Sequence, residues 1–200
     1  MQAGTGPTSI QSSNSKVVVP YPAAQTAGNL NIVAVGWGDT TTSISSVTDS
    51  KGNVYTRAIG PTVNGGQQSI YYAKNIAGGT NTVTVTFNQA ASYPDVRILE
   101  YSGLDTTSPL DVTAGAVGTG TAASSGAATT TVANELIFGT GTAGGNGFSG
   151  AGSGYTSRVM NIYGSLAEDK IVSSTGSYSA TGTVASSTWI MQMATFKAQQ

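Results

Sequence analysis

Thr82-Val83-Thr84-Val85-Thr86-Phe87 alternates apolar and hydroxylated side chains without a break. A period of two puts successive side chains on opposite faces of an extended chain, so this segment can be a half-buried strand and cannot be an amphipathic helix. Similar β-branched and aromatic runs recur along the chain. They predict strands over Lys16–Pro20, Asn29–Trp37, Ile44–Thr48, Val54–Ala58, Gln67–Asn75, Asn81–Phe87 and Asp95–Ser102. After a looser stretch with a weak strand near Val112–Gly118, more follow over Asn134–Thr140, Tyr155–Ile162, Ser165–Val172, Ser177–Thr183 and Thr188–Phe196. Between them stand turn-forming clusters such as Asp49-Ser50-Lys51-Gly52-Asn53, Asn64-Gly65-Gly66, Ala77-Gly78-Gly79 and Gly144-Gly145-Asn146-Gly147. No window carries capped, helix-period apolar spacing. The expectation is an all-β, two-sheet antiparallel β-sandwich of about a dozen strands with jelly-roll wiring. Residues 1–15 read as a flexible N-terminal segment and 16–198 as a single domain.

The two halves look alike. Asn29-Leu30-Asn31-Ile32-Val33 opens one set of strands as Asn134-Glu135-Leu136-Ile137-Phe138 opens the other. In Leu30–Trp37 one face carries Leu30, Ile32 and Ala34 while the other carries Val33, Val35 and Trp37. A strand with one solvated face should not be apolar on both, so the outward set needs a covering loop, a partner chain or a role as a concave binding face.

Composition narrows the function. Charged residues are 8% of the chain against roughly 25% in an ordinary domain. At a net charge of -1 there is no basic surface to collect phosphates, so nucleic acid is not an expected partner. The absence of His and Cys removes the usual zinc, haem, thiol and imidazole-base chemistries. No apolar run approaches the 18 or so residues of a membrane helix, so no membrane insertion is expected. Met1-Gln2-Ala3 has no signal-peptide pattern, and a Met before a Gly/Thr/Ser stretch reads as a start placed after one, giving an exported protein.

Three Glu and six Asp are the candidates for glycosidic acid–base work; Glu100 is the one singled out in mid-strand, while Asp39, Asp49, Asp105 and Asp111 lie at strand ends or turns. A Glu100 paired with Arg97 or Lys74 is the simpler reading. Gly152-Ser153-Gly154 is no nucleophile elbow, because no strand and helix flank it. No cofactor is expected. The Asp49–Asn53 turn offers oxygens at i and i+4 that can hold part of a calcium site, yet it lacks an EF-hand's acidic ladder and reads more simply as an Asx turn.

Aromatic side chains flanked by Asn, Gln, Asp and Ser are the common means of holding a sugar ring. The residues proposed to face a ligand are Trp37, Asp39, Tyr71, Tyr93 and Tyr163. For Trp37, which follows Val33 and Val35 on one face, the end of a packed core row is the competing reading. Thr26 to Trp37, then Val47 to Thr56, then Glu100-Tyr101-Ser102-Gly103-Leu104-Asp105, resemble a signature of secreted bacterial β-sandwich modules that accompany fibronectin-like or carbohydrate-active domains. The resemblance implies an extracellular module similar in role to carbohydrate-binding modules and lectin-like jelly rolls, and it carries no site residues with it. The sequence thus points to a non-catalytic binding module for a neutral polysaccharide. The alternative is a structural or adhesive surface protein that associates with copies of itself.

Overall fold

The computed structural model describes residues 2–5, 12–145, 147–161 and 164–200, with no helix among them. The first half contains β1 (Gln2–Thr5), β2 (Asn14–Pro20), β3 (Leu30–Trp37), β4 (Ile44–Asp49), β5 (Thr56–Val63), β6 (Gln67–Ala73), β7 (Thr82–Ala91) and β8 (Asp95–Tyr101). The second contains β9 (Leu110–Ser124), β10 (Ala128–Thr129), β11 (Glu135–Ala143), β12 (Phe148–Ala151), β13 (Thr156–Met160), β14 (Ser165–Val172), β15 (Ser177–Tyr178) and β16 (Thr181–Lys197). The all-β antiparallel sandwich expected from the sequence is the observed fold. Its strands are more numerous than a dozen, and β1 pairs along β8 within the segment expected to be a linker.

Pairing in the first half is nested, with β5·β6 inside β4·β7 inside β3·β8. That is a long hairpin rolled over on itself, as in a jelly roll. The second half repeats the nest as β13·β14, then β12·β16, then β11·β16, with the single strand β16 standing for both β7 and β8. The central sheets have the same order, β1-β8-β3-β6-β5 in one and β9-β16-β11-β14-β13 in the other. Residue faces put the internal match one position away from where the sequence suggested it. Ile32 and Leu136 both point into the middle core, while Val33 and Ile137 point outward from it, so Asn31-Ile32-Val33 answers to Glu135-Leu136-Ile137.

Three apolar layers result. The three-stranded sheet β2-β7-β4 packs Val17, Val19, Val83, Val85 and Phe87 against Val33, Val35, Trp37, Val96 and Ile98. On the other face of β3, Leu30, Ile32 and Ala34 meet Leu136, Phe138, Ala194 and Phe196 of the second half. Beyond that sheet, Ile137, Leu166, Met191 and Met193 pack against Phe148, Ala180, Val184 and Trp189. The outward set of Leu30–Trp37 is therefore covered by the chain's own second half, not by a loop, a partner or a ligand. Each such side chain buried is worth about 1.5–3 kcal/mol, which makes the halves mutually dependent. The sheet edges cross over as well, β1 lying against β13 and β5 against β9.

A polar cluster sits within this apolar interface. Arg97 is fully buried and donates from Nη1 to Thr140 Oγ1 at 2.7 Å, to the Leu166 carbonyl at 2.9 Å and to the Gly141 carbonyl at 3.0 Å. Its Nε lies 3.1 Å from Asp95 Oδ2. The expected Arg97–Glu100 pair does not form. Glu100 instead accepts the Thr26 N–H and the Asn29 amide.

Candidate functional site

Three of the proposed residues, Trp37, Asp39 and Tyr93, come together at one end of the first half. Strand β3 ends at Trp37, and the chain turns through Gly38 beside the corner that joins β7 to β8. Gly38 N–H donates to the Ser92 carbonyl at 2.6 Å. Asp39 then staples both loops. Its Oδ1 accepts the N–H groups of Thr41 and Thr42 at 3.0 and 2.7 Å and the Thr42 hydroxyl at 2.6 Å, while its Oδ2 accepts the Ser92 N–H at 2.8 Å. Asp followed by Thr residues folds this way because a short carboxylate reaches the amides two and three residues on. Partial burial works to raise the Asp39 pKa, but the donors from Ser92, Thr42 and Thr41 outweigh it and hold the carboxyl at about 2.

The staple presents Tyr93. The residue is 61% exposed, and its backbone is left-handed at φ 47°, a region that bulky side chains seldom occupy. A β-carbon at position 38 would lie 3.3 Å from the Tyr93 ring, so glycine there gives the ring its room. Among the described residues Tyr93 is the aromatic side chain with an exposed surface, the others being buried or half-buried. At the same end, the Asn161 amide donates to Asp95 at 3.2 Å. Tyr163 lies outside the described residues.

Trp37 is not on that surface. It is 2% exposed, meets Phe87 edge-on with centroids 5.5 Å apart, and donates from Nε1 to the Thr42 carbonyl at 3.3 Å. It supports the rim from below and offers no ring face to a ligand. Tyr71 is half-buried against the first core, with its register partner Val33 four positions before Trp37. Burial pushes its phenol pKa up, partly offset by Arg57. The rim is thus Asp39 and Tyr93, with Trp37 as its foundation and Tyr71 elsewhere.

The Asp49 turn is filled by its own donors. Oδ1 accepts the N–H groups of Lys51 and Asn53, and Oδ2 accepts from the Asn53 amide, the Tyr55 hydroxyl and the Asn81 amide, at 2.8 to 3.0 Å. The two backbone bonds, from Lys51 and Asn53, form the Asx-type turn, and the side chains of Asn53, Tyr55 and Asn81 add three more donors. Among the described residues no three acidic side chains gather as a cation site would require. A cavity of about 150 Å³ between Asn134, Lys197 and the chain end carries no aromatic side chain.

Sequence reasoning passed over the cation between two of its own tyrosines. Lys170 lies beside Tyr155 and Tyr178, on the second half's outer face. Tyr155-Thr156-Ser157-Arg158 echoes Tyr55-Thr56-Arg57, and that repeat was the signal available for it. Compared with protein families, curated proteins and solved structures, the chain matches none of them.

Proposed function

We propose that this chain is a non-catalytic extracellular binding module for a neutral polysaccharide, and that the Tyr93 ring is where the sugar stacks. The observation that carries the reading is an exposed aromatic ring held on a left-handed backbone by a four-residue hydrogen-bond staple. Backbone strain of this kind costs about 1–3 kcal/mol and persists where the surroundings over-determine it, commonly at binding sites. A backbone fixed before binding loses little entropy on contact, and tyrosine's flat face suits the C–H face of a pyranose. Low charge agrees with an uncharged ligand. Against catalysis stand the missing His and Cys, and a Glu100 carboxylate engaged by Thr26 and Asn29.

Affinity electrophoresis in gels containing soluble cellulose, xylan, mannan, chitin or starch derivatives tests the reading. Retardation by one of them that Tyr93→Ala abolishes, with an unchanged melting temperature, is the expected result; no retardation by any of them removes its support. The self-associating structural protein has one observation of its own, since β2 and β4 are open edges of their sheet. Light scattering that shows a concentration-dependent oligomer would favour it.

A further inference from the structure

We propose a second site, centred on Lys170, that takes the carboxylate of an acidic sugar residue. Lys170 is on β14, two residues after Glu168 and on the same outward face of the second central sheet. Its Nζ is 5.7 Å from the centroid of the Tyr155 ring and 5.9 Å from that of Tyr178. Both rings are anchored independently of the lysine: the Tyr155 hydroxyl donates to the Ser179 carbonyl at 2.9 Å and the Tyr178 hydroxyl to the Ser174 carbonyl at 2.8 Å. All three side chains are partly exposed.

The ammonium has no carboxylate within 4 Å; the ion pairs among the described residues are Arg97–Asp95 and Arg158–Asp169. Its nearest acid in sequence and face, Glu168, is turned to the Gly152 N–H at 2.7 Å and fully buried. Gly154 lies beside the ammonium, a β-carbon built there standing 3.6 Å from Nζ in ordinary contact. The Gly152-Ser153-Gly154 loop, which serves no nucleophile, acquires a use in this arrangement.

A lysine normally roams several rotamers and stays fully hydrated. Here two hydrogen-bonded rings stand beside the charge, each within reach of a cation–π contact. What the arrangement lacks is an anion. A uronic acid supplies one beside a pyranose ring, so the carboxylate takes a charge-assisted bond from Nζ while the sugar's C–H face rests on a tyrosine. The site is remote in sequence and sheet from Tyr93, and its success or failure is independent of the neutral-polysaccharide reading.

Affinity electrophoresis of the full chain in polygalacturonate, in the same polymer after carboxyl reduction, and in dextran sulfate tests the proposal. Polygalacturonate should retard the protein most. Lys170→Met, which keeps the stem and removes the charge, should weaken that retardation about tenfold, and Tyr178→Ala should weaken it too. Tyr93→Ala should leave it unchanged. Thermal melts establish that each variant is folded, and Lys170→Gln replaces Lys170→Met if the latter is not. Equal retardation by the polymer and its carboxyl-reduced form, wild-type binding by the charge-free Lys170 variant, or equal retardation by dextran sulfate would overturn the assignment.

Discussion

Asp39 and Ser92 meet side chain to backbone, Oδ2 to N at 2.8 Å, and this bond sets the corner on which Tyr93 stands. Because the same carboxylate also caps Thr41 and Thr42, Asp39→Ala frees three amides at once. Loss of a cap of this kind costs about 1–2 kcal/mol, and the Tyr93 backbone should relax with it. The expected outcome is a modest fall in melting temperature together with loss of whatever binding depends on Tyr93. The depressed Asp39 pKa of about 2 fixes the pH dependence. A group with a lowered folded pKa stabilises above its unfolded pKa and loses that contribution as pH falls through the folded one. The gap between wild type and Asp39→Ala should therefore be present at pH 6 and close towards pH 2, as melts at the two pH values would show.

Glu168 behaves in the opposite sense. Burial raises its pKa to about 7, and the Gly152 N–H offsets only part of the effect. A carboxyl whose folded pKa is raised binds its proton more tightly folded than unfolded, so its contribution is present below the unfolded value near 4.5 and is lost as pH rises through about 7. The loss is at most about 3 kcal/mol. Wild type should melt at a lower temperature at pH 8 than at pH 5, and Glu168→Gln, which carries no titrating proton, should remove part of that difference, the rest belonging to Glu135, whose pKa burial likewise raises to about 7. An equal pH response in the two proteins would refute the assignment to Glu168.

Arg97 is the group on which the two halves agree. Its guanidinium donates to two carbonyls and two hydroxyls of the second half, with Asp95 as its one carboxylate neighbour at 3.1 Å. Arg97→Ala leaves those buried acceptors and the half-buried Asp95 without it, at a cost of up to about 3–5 kcal/mol for a fully buried pair and less here, because Asp95 keeps contact with solvent. Arg97→Met, which refills the space without charge, should recover part of the loss. Chemical denaturation of the three proteins measures both steps.

The fold class was legible because Thr82–Phe87 and its neighbours carry a period of two, and the observed β7 puts Val83, Val85 and Phe87 inside with the threonines between them outside. The apolar second face of Leu30–Trp37 was legible too, but its cover was not. Sheet stacking joins residues more than a hundred positions apart, such as Leu30 and Leu136, and no local pattern encodes which sheet lies on which. Arg97 or Lys74 was the expected partner of Glu100, yet for Arg97 an odd separation along one strand puts the two on opposite faces, and that parity argument was available from the sequence alone. Tyr93 was singled out by residue type; its exposure follows from the corner between β7 and β8, which no strand pattern describes. Tyr71 stands half-buried against the first core, as a tyrosine in mid-strand commonly does.

Trp37 decides how the rim is built. Its burial at 2% and its edge-on contact with Phe87 make it the last member of the row begun by Val33 and Val35. Truncating a buried tryptophan to alanine removes its packing and leaves a cavity, at a cost of about 3–5 kcal/mol. For a domain of this size that corresponds to a fall of roughly 10 °C in melting temperature. Trp37→Phe keeps an aromatic ring against Phe87 but loses the Nε1 bond to Thr42, so it should fall between wild type and alanine. Because the Thr42 carbonyl and Asp39 backbone are also held by the Gln67 side chain, the staple should survive Trp37→Phe and Tyr93 should stay in place. A stacking residue would give the opposite pattern, with melting temperature unchanged and binding gone. Melts of the two variants beside their retardation in the polysaccharide gels separate these outcomes, and a Trp37→Ala protein as stable as wild type would move Trp37 out of the core.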